Sequence, residues 1–431
     1  MESIKPRLVE KIEIENFGGL SKAEISISQF NLFIGPQASG KSIAAKAIYF
    51  CKSYLREMVS ALIEEQKLEQ FHAKLANKFI DYFRAGAQDG NFRIKFRVEE
   101  EFIEIKAGRA RKHGIPRIEF STSDGIEREY MNLRRLYGKS SKKLQGAKDK
   151  DADFRFEFEI LLKLRMRLYD RFRRAWSMNQ LFIPAGRSYF SFLQGSIFSL
   201  LSSNVPLDPF IREFGSNYER YKSLFFRRIE GGNQFGRELD AILRGRYVRA
   251  DGEDFIVNAD SRRVPVSCSS SGQQEALPLL VMLRYFHLTR AFGGTSVYIE
   301  EPEAHLFPES QHRLIELLAF VFSARRGNFQ LFITTHSPYV CGAINNLLLA
   351  GSLLERYGQT VARSLRSITK FGASINFNDL SAVALADGTA KQVLDSELSM
   401  IDPSYLDAVS NVLMSQREDL LALEGKYSAN T

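Results

Sequence analysis

The chain has 431 residues, 44% hydrophobic and 26% charged, with a formal charge of +8; these are the proportions of a folded protein with room for two or three domains, not of a disordered or fibrous one. No apolar run approaches the roughly 18 residues of a membrane span, the first residues lack the apolar stretch of a signal peptide, and Cys51, Cys268 and Cys341 form neither a disulfide framework nor a zinc motif. A cytoplasmic protein is expected, and the positive charge permits a nucleic-acid or acidic partner without requiring one.

Residues 11–34 predict two strands around a break at Gly18-Gly19, since IEIENF and AEISIS both alternate, followed by the apolar run NLFI. A glycine-containing loop then leads into one long helix over 42–84, whose apolar residues recur every three or four positions. Segments 92–106 and 117–121 read as strands separated by a basic turn, and 138–152 (GKSSKKLQGAKDKDA) has the composition of a loop. A helix dense in arginine and aromatics is predicted over 154–178. The basic surplus lies here: between Arg134 and Arg174 there are 14 Lys or Arg against 6 Asp or Glu, a local +8 equal to the excess of the whole chain. LFIP (181–184) is a strand, followed by a mainly helical region to 245 and a hairpin over 247–257 that turns at Asp251-Gly252. Helix and strand alternate from there to 369, as in an α/β layer. A last hairpin, AVALADGTAKQVL, turns at Asp387-Gly388, and a closing helix is expected over 403–424.

Four segments carry chemistry. Gly35, Pro36, Gln37, Ala38, Ser39, Gly40, Lys41 and Ser42 satisfy G-x-x-x-x-G-K-[ST] between an apolar strand and a helix, the setting of a phosphate-binding loop. Its backbone N–H groups curl around phosphate oxygens and the helix start adds its positive end. Lys41 has the reach for the β- and γ-phosphates, and the Ser42 hydroxyl is placed to ligate Mg²⁺. The strand VYI (297–299) ends in Glu300-Glu301, where one carboxylate can serve the metal and the next can polarise water. A solvated acidic loop would look the same in isolation; the phosphate loop decides between them. FITTHSP (332–338) delivers His336 into a loop after another strand, within reach of a γ-phosphate if the strands are neighbours. SSSGQQE (269–275) opens an apolar helix, and its serines and glycine suit an N-cap as well as an anion site.

In this order the four segments resemble the Walker A, signature, Walker B and switch-histidine motifs of ABC-class ATPases, in the soluble branch of RecF-, SMC- and OLD-like proteins. KIEIENFGGL, NLFIGP, IEEPEAHLFP and ITTHSPYV are especially similar, and the resemblance covers 8–50 and 180–400. It implies a P-loop ABC-type head, a mixed sheet with a parallel core sheet and flanking helices, carrying a helical basic insert. By resemblance Lys41 and Ser42 bind ATP and Mg²⁺, Glu300 serves the metal, Glu301 and His336 are catalytic, and Ser271 and Gly272 reach the nucleotide of a second copy. The signature position reads SSGQQ rather than LSGGQ, and Gln37 replaces an asparagine common in relatives; the coupling-loop glutamine of relatives has no assigned position, since FIPAGRS (182–188) follows the expected strand but offers Arg187, and Gln194 comes late.

The expected division has an N-terminal lobe in 1–50 and 86–133, a helical basic insert in 51–85 and 134–180, a helical lobe with hairpin in 181–260, and a C-terminal lobe in 261–431. Standalone ATPases of bacterial antiphage systems, PARIS (AriA) and Septu (PtuA), have a similar layout. That likeness implies a nucleotide-gated switch that oligomerises with itself and controls a separate effector nuclease. No D-x-D pair follows His336, and Asp379, Asp387, Asp395, Glu397 and Asp402 read as turns and a solvated face, so no intrinsic nuclease is expected. The alternative is a RecF-like repair ATPase that places the 134–174 segment on DNA phosphates through Arg165, Arg167, Arg171, Arg173 and Arg174, with Tyr169 and Trp176 for stacking. The same segment also suits an acidic protein, or a solvated face that binds nothing.

Overall fold

In a computed structural model of the protein, the described residues are 9–84, 86, 90–108, 116–144, 150–172, 179–190, 207–226, 234–250, 252–289, 294–325, 327–402, 414–418 and 420. The chain begins with β1 (Glu10–Phe17), β2 (Leu20–Ile27) and β3 (Phe30–Ile34). Alternate residues of β1 and β2 are buried, whereas FNLFI of β3 is buried throughout, as a central strand covered on both faces must be. After β3 come α1 (Lys41–Lys52), α2 (Tyr54–Ile63) and α3 (Leu68–Tyr82), then β4 (Arg93–Val98), β5 (Glu101–Ala107) and β6 (Ile118–Thr122). Next are α4 (Asp124–Leu144), α5 (Lys150–Phe172), β7 (Asn179–Ile183), α6 (Pro209–Phe226) and α7 (Gln234–Leu243). A small separate sheet follows, β8 (Arg246–Ala250), β9 (Glu253–Val257) and β10 (Arg263–Pro265). The C-terminal part holds α8 (Ser271–Leu288), β11 (Thr295–Glu300), α9 (Pro308–Ser323), β12 (Phe329–Thr335), α10 (Pro338–Tyr357) and α11 (Gln359–Ile368). The hairpin β13 (Leu380–Ala386) and β14 (Thr389–Gln392) and the short pair β15 (Leu394–Asp395) and β16 (Met400–Ile401) complete it.

Eleven strands form one sheet in the order β6-β5-β4-β1-β2-β14-β13-β3-β12-β11-β7. From β13 to β7 all neighbours are parallel, and from β6 to β2 all are antiparallel. This is the mixed α/β architecture with a parallel core expected from the sequence. The two halves meet where β14 lies beside β2 through a single residue pair, Thr389 with Lys22, supported by hydrogen bonds from the Ser21 and Lys22 N–H groups to the Gly388 carbonyl.

Alternate side chains of the parallel strands enter two separate buried clusters. Phe33, Tyr298, Phe332, Val383 and Phe182 join α1–α5 on one face. Leu32, Val297, Ile299, Leu331, Ile333 and Ala382 join α8–α10 on the other. The sheet is thus the middle layer of three.

Two sequence expectations need correction. The single helix expected over 42–84 is three helices, broken at Ser53, whose hydroxyl donates to the Phe50 carbonyl (2.7 Å), and again at 64–67, where Glu65 takes a left-handed φ of 53°. The loop expected over 138–152 is helical through Leu144 and again from Lys150, residues 145–149 lying outside the described set. Lysine, leucine and glutamine are adequate helix formers, and Ile126, Tyr130 and Leu133 anchor α4 in the core upstream. Of the helix expected over 154–178, 173–178 lie outside the described residues, as does most of 403–424, of which 414–418 are helical.

A buried ion pair ties the first face to the strands. Lys52 Nζ donates to Glu10 Oε2 (2.6 Å) and to Gln330 Oε1 (2.7 Å), and Ser296 Oγ also donates to Gln330 Oε1 (3.0 Å). Burial pushes the Lys52 ammonium down and the Glu10 carboxyl up from their ordinary values, each charge opposing the other's shift. Removing one partner strands the other charge. Lys52→Met should therefore lower the unfolding free energy by about 3–5 kcal/mol, and adding Glu10→Leu should recover most of it, as read from urea unfolding midpoints.

Candidate functional site

The parallel strands β3, β12 and β11 are adjacent and point the same way, so their carboxyl ends share one rim. The loop after β3 is shaped by backbone that only small residues accept. Gly35 has φ 155° and lies so close to β13 that a Cβ there would come within 2.2 Å of the Leu385 carbonyl oxygen. Gly40 has φ 93° and caps α1 without any side-chain hydrogen bond, leaving the first N–H groups of α1 without a side-chain acceptor, the arrangement that receives an anion. Pro36, Gln37, Ala38 and Ser42 are exposed, and Ser39 is half-buried. Lys41 is buried and folds back over the loop, donating to the carbonyls of Gly35 (2.8 Å) and Pro36 (2.6 Å). Burial holds its ammonium below the usual lysine value, while Glu301 and Glu303 pull the other way.

At the end of β11, Glu300 is 5% exposed. Its Oε2 accepts from the Ala185 N–H (3.0 Å), and its Oε1 has no partner. Glu301 turns the chain with a left-handed φ of 42°, a conformation unfavourable for a residue with a Cβ, and its N–H donates to the Thr334 carbonyl (3.0 Å). The Glu301 carboxylate reaches His336 at the end of β12, Oε1 to Nδ1 3.4 Å. Beside them Thr335 Oγ1 donates to Glu303 Oε1 (2.5 Å) and accepts from the Ser337 N–H (3.0 Å). Burial raises the Glu303 carboxyl above its ordinary range.

Three buried polar atoms on these segments lack a protein partner: Ser39 Oγ, Glu300 Oε1 and Glu303 Oε2. Buried polar atoms of folded proteins are nearly always satisfied. An uncapped helix start, an exposed Ser42 hydroxyl and an open carboxylate oxygen on Glu300 suit a nucleotide phosphate with Mg²⁺. The donor set fits.

Ser271 and Gly272 stand at the start of α8. The cap is Ser270, in a reciprocal box with Gln273. Ser271 is exposed, and among the described residues no hydrogen bond or ion pair joins Ser271 or Gly272 to 35–42 of the same chain. Gly272 instead meets the loop after β11, where a Cβ would lie 2.6 Å from the His305 carbonyl oxygen.

Sequence reasoning missed a buried clamp behind the rim. Arg187 is 0% exposed and Glu275 1%. The guanidinium donates to the carbonyls of Glu300 (Nη1, 2.7 Å), Glu301 (Nη2, 3.1 Å) and Glu275 (Nε, 3.2 Å). The only signal was an arginine in FIPAGRS and a lone glutamate at the head of an otherwise apolar helix.

A scan against protein-family models matches residues 30–342 to the family described as "AAA domain, putative AbiEii toxin, Type IV TA system". The chain belongs to this family. It is thus an ATPase-type nucleotide-binding domain, and the AAA-domain match runs from β3 through the phosphate loop, β11 and His336 into α10. No curated protein matches the chain. Among solved structures it is similar to an SMC head bound to the C-winged helix domain of ScpA, at 15% identity and TM-score 0.39, covering 90% of this chain and 97% of that one. An SMC head domain from Thermotoga maritima is 13% identical with TM-score 0.35, covering 90% and 98%. An Smc head with extended coiled coil, bound to the C-terminal domain of ScpA derived from Pyrococcus furiosus, is 14% identical with TM-score 0.39, covering 89% and 95%. Strand order, not these distant likenesses, establishes the fold class of this AAA-domain protein. No helix among its described residues is long and apolar enough to cross a membrane.

The contact at Gly272 has its own consequence. Gly272→Ala drives a methyl group into a backbone carbonyl, so it should cost about 1–3 kcal/mol of stability without any nucleotide, measured as a lowered denaturant midpoint of the purified chain.

Proposed function

We propose that the protein is a nucleotide-gated switch in which two copies share each ATP, and that hydrolysis resets the assembly. The observation that carries this reading is the meeting of Lys41, Glu300, Glu301 and His336 on one rim while Ser271, exposed at the start of α8, makes no hydrogen bond or ion pair with its own phosphate loop among the described residues. A second copy supplies what the first leaves open.

In this reading the 35–42 loop and Lys41 hold the triphosphate, and Lys41 exchanges its carbonyl partners for phosphate oxygens. Ser42 and Glu300 hold Mg²⁺, which when bound neutralises charge developing on the phosphates. Glu301 takes a proton from the attacking water, and His336, at 3.4 Å, orients that carboxylate and faces the terminal phosphate. Ser271 and Gly272 close the site from the neighbouring copy. The matched family's description speaks of a toxin–antitoxin system. Together with the resemblance to PARIS and Septu ATPases noted from the sequence, this favours control of a separate toxic effector in antiphage defence.

No observation favours the RecF-like alternative. Of the five arginines it invokes, Arg167 and Arg171 are engaged by Glu129 (2.7 and 3.6 Å), and Arg173 and Arg174 lie outside the described residues, as do Trp176 and the side chain of Tyr169.

Lys41→Ala should abolish binding of a fluorescent ATP analogue; retained affinity would remove the phosphate-loop role. Glu301→Gln should bind ATP normally, hydrolyse it about 100- to 10,000-fold more slowly, and accumulate dimers or larger assemblies by light scattering. Turnover at the wild-type rate would move the water-polarising role to another group.

A further inference from the structure

Arg187 lies behind the rim, out of reach of solvent, and its hydrogen bonds go mainly to backbone. Nη1 donates to the Pro184 and Glu300 carbonyls (3.2 and 2.7 Å), Nη2 to the Glu301 carbonyl (3.1 Å), and Nε to the Glu275 carbonyl (3.2 Å). One planar fork therefore holds three segments: the loop after β7, the end of β11 and the first turns of α8. The Glu275 carboxylate completes the tie by accepting the Arg187 N–H (2.9 Å) and the Ser188 N–H (2.8 Å). The same loop reaches the Glu300 side chain through the Ala185 N–H.

We propose that Arg187 and Glu275 are positioning residues that link the start of α8 to the backbone of Glu300 and Glu301, so that contact at Ser271 and Gly272 sets the aim of the Glu301 carboxylate. The proposal deepens the shared-nucleotide reading and rests on it. Holding two successive carbonyls fixes the peptide planes on both sides of Glu301, and with them the direction in which its side chain leaves its left-handed backbone. Glu275 lies four residues after Ser271, one helical turn along the same face, so a push at the helix start arrives at the clamp with little loss. A purely stabilising buried ion pair is poorly explained by this geometry. Apolar residues of similar volume serve stability as well or better, and here the arginine spends four hydrogen bonds on carbonyls.

The test compares Arg187→Lys, which keeps the charge but loses the fork, with the paired variant Arg187→Met/Glu275→Leu, which leaves no uncompensated buried charge. Each is made with and without Ser271→Ala in the full chain. Affinity for a fluorescent ATP analogue, assembly by light scattering in ATP, and kcat are measured for all. Both clamp variants should bind the analogue within about 3-fold of wild type and still assemble, while kcat falls about 10- to 100-fold. Ser271→Ala should lower kcat in the wild-type background and add nothing once the clamp is gone, because the two changes break one linkage. Equal factors from Ser271→Ala in both backgrounds would sink the linkage alone. Loss of analogue binding in the paired variant would mark the two residues as structural and also overturn it. A wild-type kcat indifferent to Ser271→Ala would sink the shared-site reading and the linkage together.

Discussion

The site depends on the parallel pairing of β3, β12 and β11. Parallel neighbours end on the same side, and each strand here leads to one part of the proposed nucleotide site: the loop to Lys41 after β3, His336 after β12, and Glu300-Glu301 at the end of β11. Antiparallel order would have sent one of these three to the opposite edge. The fully buried β3, with Phe33 facing one cluster and Leu32 the other, is what keeps this register from slipping.

The rim is not relaxed. Glu301 and Ala38 sit in left-handed backbone, the hydrogen bonds of the Lys41 ammonium among the described residues go to carbonyls of its own loop, and Ser39, Glu300 and Glu303 each leave a buried polar atom unmatched. Such costs are tolerated where the rest of the fold holds them in place. Here the holding is done by buried polar contacts from behind, among them Arg187 on two carbonyls and the Glu303–Thr335 hydrogen bond. The ligand-facing side is left open.

The positions of the glycine-containing loop, the acidic pair and the histidine at strand ends were readable in the sequence because each is a short run that directly follows an apolar strand. The α/β class was readable from alternating strands and helical periods. What was not readable depended on distance in sequence. The Arg187–Glu275 contact spans 88 residues, and no local pattern announces it. The breaks at Ser53 and 64–67 preserve the helical spacing of apolar residues on either side, so periodicity ran through them. The 138–152 segment shows the opposite error: a Lys- and Ser-rich composition resembles a linker, although its described residues are helical through Leu144 and again from Lys150. Gly272 was read through its possible contact with nucleotide, whereas the close neighbour it has within the chain is the carbonyl of His305.

The join between β2 and β14 is the thinnest in the sheet. Elsewhere its neighbouring strands share four to seven residue pairs, and here they share one. Twisted open sheets of more than about 10 strands usually curl or split, because twist accumulates across them. At this thin junction packing replaces pairing: Ile12, Ile25 and Phe96 of the wing share one buried cluster with Phe33, Phe332 and Val383 of the parallel half. Glu10 of β1 also reaches Gln330 of β12 directly and through Lys52, so the wing is fastened to the parallel half by side chains where its backbone ladder is thinnest.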